Sequence, residues 1–367
     1  MGIRVEIIPM MRSYLALEDG SVMEGESFGH TDDVFGEVVF STGMSGYQES
    51  MTDPSFRGQI LIMTYPMVGN YGMCDGLNQS EGAHIRGLVV REYCKEPSRM
   101  YGGETIDTFM KRHRIPGISG IDTRELVIKI RQAGTLRGVI VHGGGAEDAV
   151  RKAKETPAPS ESNLVSEVSS KSIVRIDNKK DLTVGVIDCG MKSSILRELS
   201  ERFNVVILPY DTPAQKAIDT GINGVLVSNG PGDPAHPDMM RTAVKTVSDL
   251  SSQLPMMGIC YGNQIVSLAF GAETYKMRFG HRGCNQPVKY EGRIYITSQN
   301  HGFAVDADSL DGTGLIADQF NANDGSVEGM RHRDLPIFTA QYHPEAAPGP
   351  HDTSFLFDKF KRIVGSG

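Results

Sequence analysis

Three short stretches carry residue types and spacings that suit chemistry on an acyl or amide group. The first is Gly258-Ile259-Cys260-Tyr261-Gly262, which follows the apolar run Met256–Ile259 and precedes a helical pattern at Gln264–Phe270. A cysteine on a strand-to-helix turn is the thiol counterpart of the nucleophile elbow. Flanking glycines let neighbouring chain pass close, and the helix N-terminus behind the thiol favours the thiolate. A lone cysteine at a strand end is more commonly a buried structural thiol. The two glycines and the turn weigh against that here. Cys74, Cys94, Cys189 and Cys284 have no such setting.

A thiolate needs a base or cation held in turn by a third group. Of ten histidines, His343 is the best placed, because it ends the β-type run Ile337–Tyr342. Pro344 stiffens the chain, and Glu345 follows at i+2, on the same side of an extended backbone. This spacing reads as a Cys260–His343–Glu345 triad. His301 and His351 read as lying in polar loops and are expected to serve local structure. The third stretch, Ser228-Asn229-Gly230-Pro231-Gly232-Asp233-Pro234, follows the apolar run Gly224–Val227. A glycine-rich loop after a strand presents N–H groups to an oxyanion. Gly230, Gly232 and Ala235 also fit a dinucleotide fingerprint, but Pro231 and Pro234 delete two N–H groups and make a poor pyrophosphate cradle. The chain holds no Walker A pattern, so energy coupling of that kind would come from a partner.

These stretches need a scaffold. From about residue 182 the pattern alternates strand and helix: Leu182–Ile187, Lys192–Arg202, Asn204–Leu208, Gly224–Val227, Pro237–Leu250, Met256–Ile259, Gln264–Phe270. Such alternation predicts a doubly wound parallel α/β sheet, with chemistry at the carboxyl ends of its strands. Residues 1–155 read as a strand-rich α/β domain. It has β-type runs at Ser13–Leu17, Val38–Phe40, Gln59–Met63 and Gly87–Val90, a helix at Thr123–Ala133 capped by Asp122, and a helix at Ala146–Glu155 with Glu147 and Arg151 four apart. Between them, 156–181 is rich in Ser, Pro and charge and reads as a linker. Its Leu164, Val165 and Val168 suggest that it lies against a surface. Residues 182–367 form the second domain, and a fragment from about Lys180 is expected to fold alone.

Composition narrows the function class. The 367 residues suit two domains. A hydrophobic fraction of 39% supports sizeable cores, and a net charge of −8 argues against a nucleic-acid binder. Five widely spaced cysteines without C-x-x-C argue against a disulfide scaffold or a four-thiolate zinc site, and point to a reducing, cytoplasmic setting. No metal site is expected.

The glycine loop, G-x-C-x-G and H-P-E, in this order, resemble a class I (triad type) glutamine amidotransferase. The first half adds Ser41–Glu49 (STGMSGYQE), Asp53-Pro54-Ser55, Gly58-Gln59-Ile60, Gly69-Asn70-Tyr71-Gly72 and Gly117–Arg124. The second half adds Phe279–Gly283, Asn300–Phe303 and His343–Pro350. Together these are similar to the small, glutamine-hydrolysing subunits of carbamoyl-phosphate synthetases, from about Met11 onward.

That resemblance implies a reaction. Cys260 attacks the glutamine amide, His343 protonates the leaving ammonia, Glu345 orients His343, and the Gly232 and Tyr261 N–H groups hold the oxyanion. It implies glutamine contacts from Ser45, Gly230, Gly232, Tyr261, Gln264, Asn300, Gly302 and Phe303. With Ser45 in the first domain, the site is expected near a domain interface. The resemblance further implies a large partner subunit that uses ATP, magnesium and bicarbonate to make carbamoyl phosphate for pyrimidine and arginine synthesis, with no cofactor in this chain. Two departures stand out. Asn263 occupies a position where many relatives carry His, with little expected consequence, and the first nine or so residues precede the usual start, leaving Met1, Met10 or Met11 as initiator. Two other readings compete. One is a glutaminase for another synthetase, which the first-half motifs disfavour. The other is a non-catalytic regulatory subunit, which the intact Cys260, His343 and Glu345 disfavour.

Overall fold

The computed structural model describes residues 12–99, 102–157 and 161–366; Met1, Met10 and Met11 lie outside these. The chain forms two compact units, the first from Met1–Phe40, Gln59–Cys74 and Ile85–Ala158, the second from Ser41–Gly58, Asp75–His84 and Pro159–Gly367.

In the first unit, strands Arg12–Leu17, Val22–Gly29, Val34–Ser41, Gln59–Met63, Gly87–Val89, Pro116–Ser119 and Leu136–His142 close a barrel. Closure leaves no edge to protect. The four β-type runs read from sequence fall on these strands. The other three interleave Gly, Glu, Ser and Arg with apolar residues, so their period is faint. Asp122 caps Thr123–Ala133 as expected, accepting from the Arg124 and Glu125 N–H groups. In Ala146–Glu155, Arg151 pairs with Asp148 and Glu155 rather than with the expected Glu147. The Ala149 and Ala153 face of that helix packs on Ala16, Val139 and Val141 of the barrel.

The second unit is built on a ten-stranded sheet. Its centre is parallel, in the order Asn204–Pro209, Thr183–Asp188, Gly224–Val227, Met256–Ile259, Ile337–Ala340. This is the doubly wound core that the alternation predicts. The sheet continues antiparallel through Val327–His332, Leu315–Asn321, Thr274–Tyr290 and Arg293–Val305. That extension left little trace in the hydropathy pattern, because bulges between Lys276 and His281 and between Gly283 and Gln286 break the period of two. Apolar side chains cover both faces of the parallel part. On one face the C-terminal helix Phe355–Gly365 buries Phe360 against Phe203 and Phe338, with ring centroids 5.7 and 6.4 Å away.

Two boundaries differ from the sequence reading. The stretch read as a linker contributes a helical turn, Val165–Val168, and an edge strand, Val174–Ile176, antiparallel to Asn204–Pro209. Leu164 and Val165 are buried as their apolar character suggests. More substantially, residues 41–58 and 75–84 of the first half belong to the second unit. Gln79, itself buried, accepts through Oε1 from Ser194 Oγ at 2.7 Å, and its backbone carbonyl accepts from Ser193 N at 2.7 Å. These bonds complete the start of helix Ser193–Arg202. A fragment beginning at Lys180 therefore lacks part of its own fold. A single compositional break cannot reveal an exchange of short segments between units.

Gln79→Ala leaves the buried Ser194 hydroxyl without its acceptor, so it should cost about 1–3 kcal/mol and speed amide exchange at Ser193–Ile195. Unchanged exchange there would mean that the 75–84 segment does not support this helix.

Candidate active site

The sheet order brings the predicted stretches together. Strands Thr183–Asp188, Gly224–Val227, Met256–Ile259 and Ile337–Ala340 are consecutive neighbours, all parallel. Their carboxyl ends deliver, side by side, Lys192, the Gly230–Gly232 loop, Cys260, and His343 with Glu345.

Cys260 has φ 55° and ψ −102°, far from the ordinary basins of a residue with a side chain. Its neighbours make the turn possible. A Cβ on Gly258 would lie 2.6 Å from Gly262 O, and one on Gly262 would lie 2.1 Å from Val227 O. Cys260 N donates to Ala340 O at 2.8 Å, which pins the turn to the strand leading to His343. The following helix spans Tyr261–Ala269, three residues earlier than the pattern suggested, since Gly262 and Asn263 are weak helix formers. Cys260 therefore sits directly at its N-cap, and Tyr261, as first helical residue, has an N–H with no intrahelical acceptor. The thiol faces Asn300 O at 3.6 Å.

His343 Nδ1 lies 2.6 Å from Glu345 Oε1, and both residues are only 2% exposed. Burial alone would push the imidazole pKa down. The Glu345 carboxylate and the nearby Cys260 outweigh burial and the opposing Lys192, and raise it to about 10. Burial would push Glu345 up, but Lys192 and His343 hold it at about 2. The buried Lys192 Nζ is 3.0 Å from Glu345 Oε1 and donates to Ala346 O at 2.7 Å. That bond steadies a turn in which Ala346 and Ala347 both have positive φ. Lys192 was missed in the sequence, although it follows the end of a core strand just as the recognised stretches do. Its turn is set by Asp188, whose Oδ1 accepts from Gly190 N and Met191 N, and by Asn229 Oδ1, which accepts from Lys192 N.

The loop before Gly230 is tied to the first-half segment 41–58. Asn229 Nδ2 donates to Ser55 Oγ at 2.8 Å, and Asp53 accepts from both Asn229 and Asn300 at 3.4 Å. Ser45 and Asn300 line one small cavity. Ser45 thus belongs to the same compact unit as Cys260, and not to the first unit as the sequence reading had it. Gln264 Nε2 donates to Phe303 O at 2.8 Å and to Gln341 Oε1 at 3.1 Å, and Asn263 Nδ2 donates to the same Gln341 Oε1 at 2.8 Å. Asn263 also accepts from Thr339 Oγ1 at 2.6 Å, so its role is to brace the helix. His301 stands on strand Arg293–Val305 rather than in a loop, with Nδ1 donating to Phe303 O at 2.8 Å, and His351 is exposed. The His281, His301 and Glu328 ligand atoms lie within 4.8 Å of one another, but His281 Nδ1 is bonded to Glu328 and His301 Nδ1 to Phe303 O. All five cysteines are free thiols. No helix among the described residues is long and apolar enough to cross a membrane.

This chemistry agrees with what the chain is similar to. Residues 15–140 match the family model "Carbamoyl-phosphate synthase small chain, CPSase domain", and 185–363 match "Glutamine amidotransferase class-I". Carbamoyl phosphate synthase small chains of Methanopyrus kandleri and Archaeoglobus fulgidus are 50% and 48% identical, each over 95% of this chain and 98% of the relative. The pyrimidine-specific small chain of Halalkalibacterium halodurans is 44% identical over 97% of this chain and 98% of its own. Among solved structures, a glutamine amidotransferase from Thermotoga maritima aligns with 50% of this chain and 98% of its own at 14% identity and a TM-score of 0.38.

The raised His343 pKa means that its ion pair with Glu345 stabilises the fold through neutral pH. That contribution is lost as pH rises through about 10. Glu345, with its pKa depressed, contributes above its ordinary range and loses that contribution as pH falls toward about 2. Glu345→Gln removes the attraction and keeps the Lys192 repulsion, so the imidazole should titrate at distinctly lower pH. Following the His343 ring nitrogens by NMR checks this, and an unmoved titration would deny the coupling.

Proposed function

The chain belongs to the carbamoyl phosphate synthase small chain family, and from that footing we propose that it hydrolyses glutamine through Cys260, His343 and Glu345 and passes the ammonia to a large synthetase subunit. The observation that carries this reading is the strained Cys260 at a helix N-terminus, beside an imidazole held protonated by a buried carboxylate 2.6 Å away. Its coarser part, glutamine-hydrolysing amidotransferase activity within carbamoyl phosphate synthesis, follows from the family.

The steps use this chain's own groups. The Cys260 sulfur forms a bond to the side-chain amide carbon of glutamine, and the carbonyl becomes an oxyanion. The N–H groups of Gly232 and Tyr261 stabilise it, at the carboxyl ends of two adjacent strands. His343 gives its proton to the departing nitrogen, and ammonia leaves a glutamyl thioester. The now neutral His343 takes a proton from water, which attacks the thioester and releases glutamate. Glu345 keeps the ring oriented and offsets its charge. Lys192 holds Glu345 in place.

Ser45, Gly230, Asn300, Gly302 and Phe303 are assigned to the amino-acid part of the substrate. The Gln264 amide nitrogen is committed to Phe303 O and Gln341 Oε1, so Gln264 reads the substrate through Oε1, an acceptor suited to the α-ammonium. ATP, magnesium and bicarbonate are assigned to the partner, since thiol hydrolysis of an amide needs none of them. The barrel unit is assigned to partner docking.

Cys260→Ser should abolish glutamine-dependent carbamoyl phosphate synthesis in the complex while leaving ammonia-dependent synthesis intact. Glu345→Gln should reduce turnover less than His343→Asn, because an amide still holds the ring. Undiminished glutamine use by Cys260→Ser would remove this thiol from the reaction.

A further inference from the structure

A chain of buried hydrogen bonds runs behind the nucleophile turn, from strand Val327–His332 to Phe303. Met330 N donates to Thr339 Oγ1 at 3.0 Å, and that hydroxyl donates to Asn263 Oδ1 at 2.6 Å. Asn263 Nδ2 donates to Gln341 Oε1 at 2.8 Å, and the same oxygen accepts from Gln264 Nε2 at 3.1 Å. Gln264 Nε2 gives its other proton to Phe303 O at 2.8 Å. Thr339, Asn263 and Gln341 are fully buried and Gln264 nearly so, so these side chains depend on one another for partners.

The direction of every bond follows from the two ends, because both ends are backbone groups. The Phe303 carbonyl can only accept, so the Gln264 atom beside it is the nitrogen. That nitrogen donates, so the Gln341 atom it meets is the oxygen. The Gln341 oxygen accepts from Asn263 as well, which leaves the Asn263 oxygen facing Thr339. From the other end, Met330 N can only donate. Thr339 Oγ1 accepts that proton and keeps its own for Asn263 Oδ1, its alternative acceptor, Met330 O, being 3.4 Å away. Both ends demand the same orientation. Turning over any one of the three amides would set donor against donor or acceptor against acceptor. Gln341 keeps its orientation although this leaves its Nε2 buried without a partner.

We infer that Gln341, braced by Asn263, is a positioning residue that sets substrate specificity: it fixes the Gln264 amide so that Oε1, and not Nε2, is left for the substrate. The inference rests on the glutamine reading above. Both Nε2 protons are committed, and Oε1 has no hydrogen bond among the described residues. An acceptor there attracts an α-ammonium, whereas an amide nitrogen would oppose it. The requirement for an α-amino group is thus determined one residue behind the group that reads it. Gln341 stands two positions before His343. The same strand end therefore delivers the proton carrier and orients the recognition amide. Without the Gln341 oxygen, one of the two tethers on Gln264 Nε2 is gone, and the amide can turn Oε1 away.

The test uses the complete complex with its large subunit, assayed for ammonia release from glutamine and from glutaramate, which is glutamine without its α-ammonium. Gln341→Met, similar in size but with no acceptor oxygen, should raise KM for glutamine about tenfold, the scale of one lost hydrogen bond. Its kcat should change little, and its use of glutaramate should hardly move. Gln341→Glu keeps an oxygen for both donors in either protonation state and should recover most of the lost affinity. A purely structural role predicts otherwise: both substrates suffer alike, and a buried carboxyl is worse than Met. An unchanged KM in Gln341→Met, an equal loss with glutaramate, or no recovery in Gln341→Glu would overturn the inference. Should Gln341→Met fail to fold, the parent protein decides. Glutamine should be preferred to glutaramate by on the order of a hundredfold or more, and NMR should show both Gln264 Nε2 protons exchanging slowly with solvent. Fast exchange there, or equal use of the two substrates, would overturn it. A parent complex active with ammonia but not with glutamine would instead overturn the function proposed above.

Discussion

Cys260 occupies a backbone conformation that a side-chain-bearing residue avoids, and the second unit is arranged so that it can. The two glycines that flank it leave no room for a Cβ, with carbonyl oxygens 2.6 and 2.1 Å from where one would stand. The close approach locks strand Met256–Ile259, its neighbour Gly224–Val227 and the first turn of helix Tyr261–Ala269 into one body. Strain of this kind costs of order 1–3 kcal/mol and persists only where the surroundings over-determine it. Here they do, because the Cys260 N–H also bonds the adjacent strand at Ala340.

Around that turn, charge is arranged in an alternating series. Lys192, Glu345 and His343 are all nearly fully buried, and each neighbour reverses the sign of the last. Burial penalises every one of these charges, so none is stable without the others. The arrangement leaves His343 as the proton carrier closest to the thiol, at a pH where a free imidazole would be mostly neutral.

The segments 41–58 and 75–84 show why the unit containing this site is not a simple C-terminal domain. Asp53 and Ser55 hold Asn229 ahead of the glycine loop, Asp53 also holds Asn300, and Gln79 completes a helix start. The same segments include Ser45. The sequence resemblance placed Ser45 among the glutamine contacts, while local spacing offered no reason to single it out.

Much of the site was legible in the order of residues alone. G-x-C-x-G, the glycine loop and H-P-E each sit where a short apolar run ends, and the parallel sheet follows from strand–helix alternation, because these are local consequences of backbone sterics and hydropathy period. The antiparallel half of the sheet was not legible, since bulges erase its period. Lys192, Gln341 and Glu328 were not singled out either, and Asp53 and His281 stood only within motifs of the resemblance, without a role. Their importance arises from burial beside particular partners, and both desolvation and Coulomb attraction depend on distance in space rather than along the chain. The sequence by itself determined which strand ends carry reactive groups. Only the tertiary structure decided which charges are buried together, and hence which groups hold their protons.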